Sequence, residues 1–374
     1  MRRVCHLTSV HRADDVRITV KECASLARAG WEVHLIAQGE LPSKPEGITH
    51  HPLPPMPSSR WQRMARTTRR IHPLAIAVDA DIYHFHDPEL IPVGLLLKLQ
   101  GRKVIYDVHE DVPRDVLTKT WLPRPVRFAV SHVMAATEWL ASCLYDGIVA
   151  ATPTIARRFP LAKTICVRNY PRLDEFPLES RNTEPCRGIF SYIGLINRIR
   201  GINEMIRATA LARTESKADI RLELAGPCRD DDIIQRINGG ETSSYLHYHG
   251  CLDRSGVAEL LAKTQAGLVV LHPAQSFCEA LPVKMFEYIA AGLPVIVSDF
   301  PLWRRIVEEV GCGLLVDPLD PEDTARAMRW IVDHPAEARA MGQRGRTAVE
   351  QRLNWDNEVP ALLDLYERIA KSPL

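Results

Sequence analysis

Two kinds of apolar pattern alternate along this chain. Short continuous runs such as "RVCHLTS" (3–9), "WEVHLIA" (31–37), "DIYHFH" (81–86), "KVIYDVH" (103–109), "DGIVAA" (146–151) and "TICVRN" (164–169) have the length and composition of buried strands. Segments with apolar residues at helical spacing lie between most of them. The first places Val16, Val20, Cys23, Ala24 and Ala27 on one face and stops at Gly30. This alternation predicts an α/β fold, a parallel sheet with helices on both faces. It resumes with "GIFSYIG" (188–194), a helix over 201–213, "IRLELAG" (220–226), "YLHYHG" (245–250), "AGLVVLH" (266–272), "LPVIVS" (293–298) and "GLLVDP" (313–318). Between the two series, "PRLDEFPLESRNTEPCRG" has three prolines and little periodicity. The pattern therefore predicts two Rossmann-like domains, 1–170 and 188–353, joined by a linker at 171–187. A last helix over 354–374 is expected to cross back to the first domain.

Composition narrows the class. A chain of 374 residues with 46% apolar and 25% charged residues is a soluble globular protein of about two domains. It contains no apolar run long enough to span a bilayer, and "MRRVCHLTSVHR" is not a signal peptide. Nine scattered cysteines without a CxxC suit reduced thiols, and the expected location is cytoplasmic. Net charge is +1, with 24 Lys+Arg against 19 Asp+Glu over residues 1–180. That excess is too small for a nucleic-acid binder driven by charge.

Polar residues collect where α/β sheets bind ligands, at the carboxyl ends of strands. The first domain offers "TSVHRADD", "HFHDPEL" and "DVHEDVP"; the second offers "GLINRIRG", "HGCLDR" with Cys251 and Leu252, and "HPAQSFCEALPVK". In "EALPVKMFEYIAAGLPV" (279–295), Pro282 opens a helix, Gly292 caps it, and a buried strand follows. This puts Glu279 at the helix mouth and Glu287 about two turns inside. In "YIGLINRIRG", Arg198 and Arg200 precede a helix that opens at Gly201, an arrangement that suits a diphosphate. Read alone, the same pair is equally a set of solvated surface arginines.

Taken together, Glu279-x7-Glu287, "AAGLPVIVSD", "YIGLINRIRG", "NYP" and "LNWD" resemble family 4 glycosyltransferases. The resemblance covers nearly the whole chain. It implies the GT-B fold, two Rossmann-like domains facing across a cleft, and sugar transfer with retention from a UDP- or GDP-linked donor to an acceptor hydroxyl. "HLTSVHRADDVRITVKECASLARAGWEVHLIA" and "HFHDPELIPVG" are similar to members that assemble polysaccharides and glycolipids. By this resemblance Glu287 binds the nucleotide ribose, Glu279 the donor sugar, Arg200 the diphosphate, and His109 lies beside the transferred sugar. Lys284, Arg198, Cys251 and Leu252 are further donor-side candidates. His11, Arg12, Asp87 and Glu89 are acceptor-side candidates. The chain departs from the pattern at Leu195, where the family has an arginine. It departs again in its spacing from Pro282, which would put Phe277 rather than Glu279 in the first-glutamate slot.

The resemblance implies no cofactor and no metal. His84 and His86 share one strand face, but no second ligand pair at fixed spacing accompanies them, and "RDDD" (229–232) reads as acidic residues opening a helix. The stretch 60–70 holds Arg60, Arg63, Arg66, Arg69 and Arg70 with Trp61 and Met64. It reads either as a solvated helix or as a surface for anionic lipid at the inner face of the plasma membrane, beside a sugar or lipid-linked acceptor. Two other readings stay open: a non-catalytic nucleotide-binding regulator, favoured by Leu195, and a nucleotide-sugar epimerase.

Overall fold

All twelve apolar runs form strands, and a thirteenth joins them. The computed structural model describes residues 2–41, 46–54, 60–119, 121–176, 186–237, 239–240 and 242–372, with the backbone alone for 60–68. The chain forms two units, Met1–Asn169 with Trp355–Leu374, and Tyr170–Asn354.

In the first unit, β1 (Arg3–Arg12), β2 (Glu32–Gln38), β3 (Ile48–Leu53), β4 (Ile82–Phe85), β5 (Lys103–Val108), β6 (Gly147–Ala150) and β7 (Thr164–Cys166) pair in parallel in the order β3-β2-β1-β4-β5-β6-β7. Strand β3, "ITHHPL", escapes the pattern because only Ile48 and Leu53 are buried, and its Pro52 suits an edge strand. A π-helical stretch, Val16–Cys23, leads into α1 (Ala24–Arg28); α2 (Arg60–Val78), α3 (Ile91–Leu99), α4 (Val112–Leu117), α5 (Arg124–Leu144) and α6 (Pro153–Ala156) follow. The π winding corrects the expected apolar face. Instead of Val16 and Val20, it buries Arg17, Ile18, Lys21 and Glu22. A wider turn shifts the inward stripe away from the 3.6-residue period. Helices α2, α3 and α5 share one apolar core on one side of the sheet, and the π-helical segment and α1 lie in another.

The second unit has β8 (Ile189–Ile193), β9 (Arg221–Ala225), β10 (Leu246–Tyr248), β11 (Ala266–Val269), β12 (Val295–Ser298) and β13 (Gly313–Val316), all parallel in the order β10-β9-β8-β11-β12-β13. Around them run α7 (Ile202–Thr214), α8 (Asp231–Ile237), α9 (Arg254–Lys263), α10 (Gln275–Cys278), α11 (Val283–Ala290), α12 (Pro301–Val310), α13 (Pro321–Asp333) and α14 (Pro335–Gln351). Of the stretch 171–187 read as linker, residues 177–185 lie outside the described residues, and Phe176 joins the second unit's core. The last helix, α15 (Val359–Lys371), belongs to the first unit, where Leu362, Leu365, Tyr366 and Ile369 are buried. Gly147 makes room for it, since a Cβ there would lie 2.8 Å from Ile369 Cδ1.

Each sheet reverses its strand order once, between β1 and β4 and between β8 and β11. Such reversals open a crevice at the strands' carboxyl ends.

Candidate functional site

In the second unit, the loop leaving β8 is folded tightly by its own side chains. The Tyr192 hydroxyl donates to Leu195 O at 2.8 Å, and Asn197 Oδ1 accepts from Arg200 N at 3.1 Å. Gly201 sits at φ 72°, and a Cβ there would lie 1.9 Å from Val270 O, so only glycine lets this loop close on the end of β11. Gly194 has φ 135° and Gly226 φ 129°. A Cβ on Gly226 would meet Gly194 O at 2.2 Å.

Into this loop points Lys284, from the first turn of α11. The residue is 9% exposed, and Nζ has no hydrogen-bond partner. It lies 3.7 Å from the centre of the Tyr192 ring and against Gly194, where a Cβ would come within 2.8 Å of Nζ. Burial first, then the neighbouring Arg200, push the Lys284 amine well below its ordinary range, and Glu287 only partly opposes them. The cation–π contact recovers part of this cost. Protonating an amine buried beside a guanidinium is costly, and a neighbouring anion would offset that cost.

The other donor-side candidates distribute around it. Arg200 lies over the Phe277 ring at 5.4 Å. Glu287, three residues after Lys284 on α11, takes Arg254 at 3.5 Å, and Arg254 also pairs with Glu175 at 2.9 Å. Cys251 and Leu252 lie in the loop just before Arg254, with Cys251 exposed. Glu279 ends α10 and is partly buried, two residues after Phe277. Arg198 is placed differently: 60% exposed, it binds Asp230 at 3.1 Å and Asp232 at 2.8 Å. The acidic run 230–232 thus holds an arginine on the surface.

In the first unit, the ends of β1, β4 and β5 gather a buried ionic network. Asp107 receives Arg17 at 3.0 Å and His109 Nε2 at 3.2 Å. His109 also meets His86 Nδ1 at 3.1 Å, and His86 Nε2 lies 2.9 Å from His6 Nδ1. Tyr366 of α15 joins His6 at 3.2 Å to His84 at 2.6 Å. Burial alone would push the Asp107 carboxyl up, but Arg17, His109 and His86 hold it well below the usual range. Glu22 goes the other way: burial first, then Asp107, push its carboxyl well up despite Arg17 at 3.1 Å. With one guanidinium facing two buried carboxylates, Glu22 is the one more readily protonated. His6, Glu22, His84 and His86 also bring one ligand atom each within 4.8 Å of one another, close enough to surround a metal ion. The second ligand pair that the spacing lacks comes from β1 and the π-helical stretch.

Among the acceptor-side candidates, Asp87 is buried and its Oδ2 accepts from Thr8 Oγ1 at 2.8 Å and Ser9 N at 2.6 Å, so it shapes the loop after β1. His11 lies between Asp15 at 3.1 Å and Asp87 at 3.5 Å, and its ring packs 5.3 Å from that of His109. Burial lowers the His11 pKa, but Asp15 and Asp87 more than reverse this and raise it. Arg12 is exposed and paired with Asp14; Glu89 is buried. Sequence reading missed Tyr192, Asp107, Arg17 and Glu22. Asp107, two residues before His109 in "DVH", was the one with a visible signal.

The model of glycosyl transferases group 1 matches residues 179–348, and that of glycosyltransferase family 4 matches 16–161. The chain belongs to the group 1 glycosyltransferases. D-rhamnosyltransferase WbpZ of Pseudomonas aeruginosa is 25% identical to it over 291 residues, 74% of this chain and 70% of that protein. The phosphatidyl-myo-inositol mannosyltransferase of Mycobacterium leprae is 23% identical over 330 residues, 84% of this chain and 80% of that protein. Sucrose-phosphate synthase from Thermosynechococcus elongatus shares the fold, with a TM-score of 0.74 at 19% identity over 99% of both chains. The transferase is thus a GT-B enzyme related to mannosyltransferases.

Proposed function

We propose that this transferase moves a sugar from a UDP- or GDP-linked donor to an acceptor hydroxyl with retention of configuration, without a metal. The acceptor is a sugar or lipid-linked intermediate of cell-surface polysaccharide or glycolipid assembly, handled at the cytoplasmic face of the membrane, with the basic stretch 60–70 on anionic headgroups. The observation that carries the reading is Lys284, a buried amine whose Nζ has no hydrogen-bond partner, set beside Arg200 and against a glycine-shaped loop at a strand-order reversal. Such a position suits an anion.

In this reading Lys284 and Arg200 take the diphosphate, and Glu287 accepts from the ribose hydroxyls, as a carboxylate can. Glu279 meets the donor sugar. Charge grows on the bridging phosphate oxygen as the glycosidic bond breaks, so the two cations stabilise the transition state more than bound donor. The departing phosphate then takes the acceptor proton on the face where it leaves, which retains configuration. His109 is assigned beside the sugar by the family resemblance, with its ring held by Asp107. Calorimetric titration with UDP and GDP tests the reading: one should bind at one site per chain, and Glu287→Ala should weaken it about ten- to hundred-fold. Binding of neither would remove the donor site.

A further inference from the structure

Helix α5 is built inside out. It buries Ser131, Glu138, Ala141 and Ser142, with Glu138 satisfied by the Tyr106 hydroxyl at 3.0 Å and by Arg158. Its outer side carries Val126, Phe128, Val133, Trp139, Leu140 and Leu144, between 42% and 65% exposed. At 3.6 residues per turn, the exposed arc from Phe128 round to Val130 covers about 200° of the helix; it contains no Asp, Glu, Lys or Arg, and His132 and Thr137 are polar positions on it. Trp121 (76% exposed) precedes it, and neighbouring α3 adds Leu99 (84%). Monomeric proteins rarely leave so broad an apolar face in water.

Charge says what covers it. Helices α2 and α5 hold seven arginines and one acid in their sequences, the acid being the buried Glu138, in a chain whose net charge is only +1. Arg69 and Arg70 are exposed on α2, and Arg124 at the start of α5. A helical partner would call for a narrow seam of about two residues in seven flanked by charges, and this arc is wider and uncharged. Trp121 before the helix and Trp139 in its second half, with Arg124 exposed at its start, suit the boundary between lipid chains and anionic headgroups. No described helix is long and apolar enough to cross a membrane.

We propose that the outer face of α3 and α5 inserts shallowly into an anionic bilayer, with Arg69, Arg70 and Arg124 on its headgroups. This makes α5 the apolar anchor and leaves 60–70 a supporting electrostatic role. It rests on the peripheral-membrane part of the proposed function and not on the sugar chemistry. The test is co-sedimentation of the full chain with vesicles of equal phosphatidylglycerol and phosphatidylcholine, beside vesicles of phosphatidylcholine alone. The native chain should bind the anionic vesicles at least tenfold better, and brominated lipid should quench its tryptophan fluorescence. Val133→Ser/Leu140→Ser/Leu144→Ser should lose at least tenfold in vesicle affinity and keep UDP or GDP binding unchanged, since those residues are exposed. Arg69→Gln/Arg70→Gln should lose less, and only on anionic vesicles. Equal vesicle binding by the native chain and the triple serine variant would overturn the proposal. So would a native chain that binds neither vesicle, whether monomeric or a dimer that the triple variant dissociates. Loss of nucleotide binding in native protein that still binds vesicles would instead remove the donor reading and leave α5 as the anchor.

Discussion

Replacing Lys284 with methionine should strengthen the nucleotide-free protein and weaken its hold on nucleotide at the same time. The residue is 9% exposed and Nζ has no hydrogen-bond partner, so methionine of similar length removes an unsatisfied buried amine while keeping the packing on Tyr192. Relief of such a group is worth about 1–3 kcal/mol. A hydrogen bond to a charged phosphate is worth about 1.5–3 kcal/mol, so Kd for UDP or GDP should rise about ten- to hundred-fold. The pH dependence follows from the depressed amine. The unfolded chain protonates Lys284 at an ordinary pKa near 10.5, and the folded protein only well below it. Between those two values the unfolded state binds the extra proton, so stability of the free protein rises with pH there, and Lys284→Met flattens the rise. A bound diphosphate favours the ammonium. Nucleotide binding should therefore take up a proton, and affinity should fall as pH climbs above the depressed pKa. Calorimetry in buffers of different ionisation enthalpy reads the proton, and chemical denaturation across pH reads the stability. A methionine variant with native nucleotide affinity and an unchanged stability profile would refute the reasoning.

Arg200→Ala should lower kcat about a hundred- to a thousand-fold with a smaller change in KM for donor, the scale of losing one transition-state donor. Arg198→Ala should do much less, because Arg198 is spent on Asp230 and Asp232; steady-state kinetics on both variants would expose a misplaced loop if the larger loss fell on Arg198. Gly201→Ala places a Cβ 1.9 Å from Val270 O at a left-handed φ, so it should cost at least about 2 kcal/mol in a denaturant titration and loosen nucleotide binding; a neutral outcome would mean the loop closes otherwise. Turnover should persist in excess EDTA; complete loss restored by a divalent ion would place a working metal at His6, Glu22, His84 and His86.

Much of this was legible from the chain. Parallel strands buried on both faces leave continuous apolar runs, and every run in both series became a strand. Glu287, Arg200 and Lys284 could be named as candidates because one short helix and one glycine-bounded loop carry them. What stayed hidden depended on contacts distant in sequence. Tyr192 reads as a core aromatic until Lys284 is laid over it. The π winding at Val16–Cys23 follows no 3.6-residue period, so Arg17 and Glu22 read as solvent-facing until they meet Asp107, 90 and 85 positions on. Helix α5 shows apolar and polar faces in its sequence, but the pattern cannot say which face turns inward. Glu138 decides that, through Tyr106 and Arg158.

Sugar transfer itself is the most direct test. The chain should be incubated with UDP- and GDP-linked sugars and a lipid-pyrophosphate acceptor, and the product's anomeric proton followed by NMR from the first turnover. The account predicts that one donor yields nucleoside diphosphate and glycosylated acceptor in equal amounts, with the new linkage in the donor's anomeric configuration. A product of inverted configuration, or nucleotide released without any glycosylated acceptor, would contradict it.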